Sequence, residues 1–426
     1  MALLEIVVIF FLLALAGLPL VYAILTTTVG YIAWKSLSHP IESILLTYIG
    51  GVEPFVLIAV PLFIVAGELL SRGGVGERIM RFARTLFGFL PGGLGVVTVA
   101  SCLLFGGVSG SAIAGAAAVG SVMIPAMVAH GYPKSFAAAL VACAGTLAVI
   151  IPPSIPMLVY GFVAGASVRD LFISGIVPGI LFGAAMMLVC VHYGRTRDWD
   201  RGGKRASLRE IGVAFTGALP ALMMPVIILG GIWTGYFTPT ESAAVAVVYG
   251  LLISVAYRDL ALRHLPEVFL NAFITSAVVM VVIGATAALG WLITVEQIPV
   301  QVTAMVKEVA GNKWVFLLLI NIVLLVLGIF LEPLPALILT APILVPMARD
   351  FGIDLVHLGL LVTCNLAIGL YTPPVGGTLF VAGRIAGAGI GPISVALIPL
   401  FAVTLLVMAA VTYIEVLPMG LVWLLR

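Results

Sequence analysis

Ala142-Cys143-Ala144-Gly145-Thr146-Leu147-Ala148-Val149-Ile150-Ile151-Pro152-Pro153-Ser154-Ile155-Pro156 is an apolar helical run that stops at a Pro-Pro pair and then resumes as apolar helix. The pattern returns as Thr363-Cys364-Asn365-Leu366-Ala367-Ile368-Gly369-Leu370-Tyr371-Thr372-Pro373-Pro374-Val375-Gly376. Pro373 lies 221 positions after Pro152, and the offset holds without a gap over a long window. Pro125 maps to Pro346, Gly131 to Gly352, Cys143 to Cys364, Leu158 to Leu379 and Pro178 to Pro399. Two copies of one broken-helix unit inside a membrane chain point to a transporter built on an internal repeat.

Composition supplies the membrane. Of 426 residues, 62% are hydrophobic and 9% charged, where soluble domains carry roughly 25% charged residues. Apolar runs of about 20 residues recur throughout, so the fold class is an all-α polytopic membrane protein, with the lipid bilayer as its solvent. A net charge of +2 and the lack of any Lys/Arg run interleaved with aromatics give no reason to expect a nucleic-acid partner. Cys102, Cys143, Cys190 and Cys364 sit singly in apolar runs, in neither a disulfide nor a metal-type spacing. The start, Met1-Ala2-Leu3-Leu4-Glu5, lacks a basic leader and a clear cleavage site, and reads as a mature membrane segment.

Taken in order, residues 3–34 are apolar and punctuated by Gly17-Leu18-Pro19. They form either one kinked helix or two short crossings. Repeat symmetry favours two, since the counterpart at 212–257 is split by Thr234-Gly235-Tyr236-Phe237-Thr238-Pro239. A span at 53–70 follows, then an interfacial amphipathic arm at 71–89 with Arg72, Arg78, Arg81 and Arg84 at helical spacing. Next come a re-entrant hairpin at 91–131 with its tip at 105–111, a broken helix at 134–165 and a span at 170–193. The second half repeats this order: spans near 212–233, 240–257 and 266–294, an arm at 296–312, a hairpin at 314–350 with its tip at 328–335, a broken helix at 354–386 and a last span to about Trp423. The Arg-rich linker at 195–211 is cytoplasmic by the positive-inside rule, and the arm and the Arg258/Arg263 loop fall on the same side. Each half, 1–194 and 212–426, thus makes about five crossings plus one hairpin. Odd parity inverts one repeat relative to the other, the arrangement of alternating access.

The chemistry concentrates at the breaks and tips. A mid-helix proline removes a backbone donor and frees a carbonyl about one turn back, and the half-helix beyond it starts with unpaired N–H groups. Freed carbonyls suit Na⁺; a positive helix end suits a carboxylate. At the first tip, Ser109 and Ser111 offer hydroxyl oxygens beside Gly106, Gly107 and Gly110, against the plainer reading of small-residue helix packing. At the second, Glu332 is an ionisable residue at membrane depth, either functional or a cap for the helix that follows. Thr372 and Asn365 carry oxygens near the second break, although Asn365 could equally bond a neighbouring helix. Glu53, Glu68 and Glu241 read as interfacial, and His39, His130, His192, His264 and His357 all fall at span ends, which argues against a buried proton relay. Gly107-Val108-Ser109-Gly110 has the form of an intramembrane serine-protease nucleophile, but no mid-span histidine supplies a base, so no enzyme is expected.

With these residues in hand, the chain resembles the large membrane subunit of the tripartite ATP-independent periplasmic (TRAP) transporters over essentially its full length. The resemblance rests on Gly107-Val108-Ser109-Gly110-Ser111-Ala112, Ile151-Pro152-Pro153-Ser154-Ile155-Pro156, Pro342-Ile343-Leu344-Val345-Pro346 and Asn365 to Gly376, in that order. It implies Na⁺-driven secondary uptake at the bacterial inner membrane, an elevator-type motion, a small four-helix membrane subunit and a periplasmic binding protein that delivers an organic acid such as a C4-dicarboxylate or sialic acid. Carried over, one Na⁺ site uses Ser109 and Ser111 with backbone around Gly145 and Pro152. A second uses the tip from Gly328 to Glu332 with Gly369 and Thr372. Substrate lies between them, near Ser154, Asn365 and Thr378. The sequence departs from many relatives at Gly115, where Asp or Thr is common, which leaves the substrate class open. The alternatives are a stand-alone ion-coupled organic-anion carrier and, further off, a channel.

Overall fold

A computed structural model describes residues 2–35, 40–72, 74–197, 199–257, 260 and 262–426. His39 and Arg258 lie outside the described residues. Helices account for the regular structure, with no strand among the described residues.

The first half runs α1 (Ala2–Leu15), α2 (Leu20–Trp34), α3 (Ile41–Gly50), α4 (Ala59–Arg72), α5 (Val75–Phe87), α6 (Gly93–Ser109), α7 (Ala112–Ala129), α8 (Lys134–Gly145), α9 (Leu147–Ile150), α10 (Ile155–Ala164) and α11 (Val168–Thr196). The second runs α12 (Leu208–Trp233), α13 (Pro239–Ala256), α14 (Leu265–Val295), α15 (Ile298–Ala310), α16 (Lys313–Phe330), α17 (Pro333–Asp350), α18 (Leu355–Gly369), α19 (Gly377–Ala386), α20 (Ile390–Tyr413) and α21 (Val416–Leu425). Among the described residues, seven helices are long and apolar enough to cross a membrane, or up to nine if each of two bent pairs is one span. Shifting α7 by 221 residues gives 333–350, the bounds of α17, and shifting α10 gives 376–385, one residue short of α19 at each end.

Local chemistry sets the helix starts. Ser111, Ser154 and Ser167 accept hydrogen bonds from the first-turn N–H groups of α7, α10 and α11. Ser207 with Glu210 and Thr238 with Glu241 form full capping boxes at α12 and α13. The Gly17-Leu18-Pro19 punctuation separates two helices, as repeat symmetry expects.

The structure departs from the sequence reading in several places. The span expected at 53–70 is the second part of a pair, α3 then α4, bent by 60°. Its counterpart, α14, runs unbroken for 31 residues. Gly50-Gly51-Val52-Glu53-Pro54 explains the difference: proline removes a donor, and the two glycines before it are weak helix formers. The expected last span ends at Tyr413, and α21 follows beyond Glu415, which is ion-paired to Lys313. The linker is shorter than expected, because α11 continues to Thr196 and α12 starts at Leu208. It is also docked: Trp199 packs 5.1–5.5 Å, ring to ring, from Tyr132, Phe136 and Tyr193, and Asp200 accepts the Leu94 N–H at 2.7 Å. His357 lies at a helix end, in the first turn of α18, but is buried there, with its Nε2 3.1 Å from the Val411 carbonyl oxygen.

The two broken helices occupy the core. Every residue of α8 from Phe136 to Gly145, and of α18 from Val356 to Gly369, is buried. The halves interlock around them, with α10 against α17, and α19 against both α7 and α8. A separate apolar cluster joins α1, α2, α3 and α14 through Ile6, Phe10, Ile24, Ile44 and Leu292.

Candidate functional site

At the first hairpin, α6 continues through Gly106 and Gly107 to Ser109, so the tip narrows to Gly110 and Ser111. The glycines serve contact rather than unwinding: a Cβ on Gly106 would come 2.8 Å from the Ala148 Cα. Gly110 takes a left-handed φ of +61°, which reverses the chain at once. The break lies directly against this tip. A Cβ on Gly107 would sit 3.4 Å from the Pro152 carbonyl oxygen, and one on Gly110 would sit 3.0 Å from that of Pro153. Both Pro-Pro peptides are cis. Gly145 abuts the other arm, where a Cβ would approach Ala116 Cβ to 2.8 Å. Ser109 is buried and its hydroxyl has no hydrogen-bond partner among the described residues. Buried polar groups are usually satisfied, and an orphan beside freed carbonyls fits an oxygen-seeking cation.

At the second hairpin the tip is Leu331 and Glu332, and Gly328 on α16 meets Gly369 on α18 backbone to backbone. Glu332 stands at the N-cap of α17 without a capping hydrogen bond, so its carboxylate is not occupied in holding that helix start. The Thr372 hydroxyl donates to the Ile368 carbonyl at 2.7 Å, and the Thr378 hydroxyl and N–H both donate to the Leu370 carbonyl, at 2.9 and 3.1 Å. Ser154 likewise donates to the Val149 carbonyl.

One cavity of about 480 Å³ gathers both tips. Ser109, Ser111 and Glu332 line it, together with Val149, Pro156 and Leu370 beside the breaks. Gly145, Pro152, Gly328, Gly369 and Thr372 stand behind the tips, outside its lining, as do Ser154 and Thr378. Asn365 is farther off. Its amide donates to Asn321 Oδ1 at 2.6 Å and to the Leu361 carbonyl at 2.8 Å, and Asn321 in turn donates to Thr412 Oγ1 at 3.0 Å. It therefore bonds the neighbouring helix, the second of its two sequence readings.

The sequence reading missed the opposite wall, made by Gly67, Glu68 and Ser71 of α4 and Thr275 of α14. Glu68, read as interfacial, faces this cavity. The only available signal was Gly67, whose Cβ would lie 2.8 Å from the Ser109 carbonyl oxygen. Among the described lining residues there are two carboxylates and no Lys or Arg. What faces the space instead is helix starts: first-turn residues Ala112 and Ile113 of α7, Ile155 and Pro156 of α10, and Pro333 and Leu334 of α17. Each start carries about half a positive charge.

The comparisons agree with this architecture. Residues 7–417 match the family described as Tripartite ATP-independent periplasmic transporter, DctM component. The chain is 41% identical over 90% of its length to the isethionate TRAP transporter permease protein DctMQ of Oleidesulfovibrio alaskensis, and spans 60% of that longer relative. It is 41% identical to the C4-dicarboxylate TRAP transporter large permease protein DctM of Pseudomonas aeruginosa, covering 87% of this chain and 86% of that one. The 2,3-diketo-L-gulonate TRAP transporter large permease protein YiaN of Escherichia coli is 35% identical, over 87% of each chain. Among solved structures, the YdaH transporter of Alcanivorax borkumensis shares the fold at 14% identity and a TM-score of 0.63, covering 90% of this chain and 88% of that one. A large, multi-pass helical chain with this match from end to end belongs to the DctM component family and is the large permease subunit of a TRAP transporter.

Proposed function

We propose that the chain carries an organic acid into the cell by Na⁺ symport across the bacterial inner membrane, working with a small membrane subunit and a periplasmic binding protein. The relatives' named cargoes are C4-dicarboxylate, isethionate and 2,3-diketo-L-gulonate; a small carboxylate fits the same description, sialic acid included. The observation that carries the reading is a cavity onto which both tips and three helix starts open, with no basic side chain among its described lining residues. An anion there depends on helix ends and co-bound cations for its charge balance, which couples its binding to Na⁺. Ser109 and Ser111, with the Gly145 and Pro152 backbone, would hold one ion. Gly328, Glu332, Gly369 and Thr372 would hold the other, with Ser154, Asn365 and Thr378 shaping the breaks that position them.

The matching helix bounds support two repeats, joined by the shorter linker at 197–207. An inverted relation between them would let the hairpins and broken helices move as one body against α1–α4 and α12–α14, as an elevator. The driving force is sufficient. A charge falling through about 100 mV releases roughly 2.3 kcal/mol, and a tenfold gradient adds roughly 1.4 kcal/mol. Two Na⁺ therefore supply about 7 kcal/mol, less what the anion's own charge opposes.

The test is uptake of labelled carboxylates into proteoliposomes, with and without a Na⁺ gradient, binding protein and small subunit. Uptake that needs all three is the expected result. Uptake by this chain alone would make it an independent carrier, and Na⁺-independent flux would reduce the tips to structural helix breaks.

A further inference from the structure

A second cleft, of about 900 Å³, opens where the arm, the linker and the start of α12 meet. Its walls carry five cations: Arg81 and Arg84 on α5, Lys204 and Arg205 on the linker, and Arg209 in the first turn of α12. The one acid present, Glu210, is turned to its own helix start, where its carboxylate accepts the Ser207 N–H at 2.7 Å and hydroxyl at 2.9 Å. Among the described residues, none of Arg81, Arg84, Lys204 and Arg209 has an ion-pair partner, and all four are exposed.

Like charges at such density repel unless an anion joins them, and a floppy loop would spread them apart. Here the fold holds them together. Asp200 ties the linker to α6 by accepting Gly92 N–H on its backbone oxygen at 2.8 Å and Leu94 N–H on its carboxylate at 2.7 Å. Gly203 N–H donates to the Gly88 carbonyl at 3.0 Å, and the Arg205 guanidinium lies 4.9 Å from the centre of the Phe89 ring. Beyond the cations the lining turns apolar with Val213, 66% exposed, and Ala214, at the head of a membrane-spanning helix. Cations at headgroup level above apolar side chains at acyl level are the two halves of a phospholipid.

We propose that this cleft seats an anionic phospholipid whose headgroup bears two phosphates, and that the lipid pins α5 to α12. Five cations against one engaged carboxylate exceed what a single phosphate balances. The position matters because α5 packs on both α6, an arm of the first hairpin, and α12. A headgroup bridging Arg84 and Arg209 would anchor the arm from which the hairpin hangs.

The experiment is native mass spectrometry of the full-length purified chain, titrated with cardiolipin, phosphatidylglycerol or phosphatidylethanolamine. Cardiolipin is expected to bind most tightly. The R84Q/R209Q variant should weaken it by roughly tenfold or more, at about fivefold per lost basic contact. The charge-matched R195Q/R384Q variant should change it less than about twofold. An R81Q/K204Q variant, read in the same way, guards against a folding defect in the first. Equal loss in R84Q/R209Q and R195Q/R384Q would make the effect one of general surface charge and overturn the proposal. Displacement of cardiolipin by millimolar inorganic phosphate would overturn it differently, making the cleft a site for free anions.

Discussion

Gly369 meets Gly328 backbone to backbone, so that a methyl group built on Gly369 collides with the Gly328 carbonyl group, whereas one built on Gly328 stays 3.1 Å from the Gly369 Cα. The substitutions G369A and G328A are therefore unequal. G369A should cost about 3 kcal/mol, the upper end of overpacking, and G328A about 1 kcal/mol. Thermal unfolding of the purified chain measures both. Equal melting temperatures would mean that the second tip and break are not in contact.

Ser109 has a buried hydroxyl without a partner among the described residues. Removing a polar atom that makes no bond leaves stability within about 1 kcal/mol of wild type. S109A should accordingly melt like the parent yet need roughly tenfold more Na⁺ for half-maximal uptake, having lost one of the ion's oxygens. A lowered melting temperature with unchanged Na⁺ dependence would assign Ser109 to packing alone.

Asn321 and Asn365 depend on each other across 44 residues. Replacing either with leucine removes the bond between them, leaving Asn321 Oδ1 without its donor or Asn365 with the Leu361 carbonyl alone, at about 2 kcal/mol. The double variant N321L/N365L removes both and should recover at least half of the summed loss. Additive losses in denaturant melts would show that the pair is not coupled.

Asp200 holds the linker by a charge-assisted bond to Leu94 N–H and has a φ of +47°. D200A loses the acceptor and strains the backbone, and should open the linker about tenfold more often. Limited trypsin digestion would read this as faster cleavage at Arg201, Lys204 and Arg205. D200N, which keeps an oxygen acceptor and tolerates the same backbone, should fall between D200A and the parent.

Much of this was legible in the sequence because proline and glycine act locally. Pro152 and Pro373 break their helices whatever surrounds them, and the offset of 221 transfers one half's reading to the other. The span read at 53–70 is only the second part of a bent pair. Gly50 to Pro54 put a 60° bend into the first copy, whereas α14 in the second runs unbroken. Long-range partners were not legible. Nothing local marks Asn321 as the acceptor for Asn365, or turns Glu68 toward the hairpin tip, because both depend on how helices distant in sequence meet.

The interlocking of α19 with α7 and α8 bears on how the chain is made. The face formed by residues 112–145 is synthesised early, yet its covering helix begins at Gly377. During synthesis the first half enters the bilayer with its broken helix still uncovered, and only the final fraction of translation closes it. A ribosome that stalls between the two Pro-Pro pairs leaves not half a carrier but an unfinished core, open to lipid and to whatever quality-control machinery surveys the membrane.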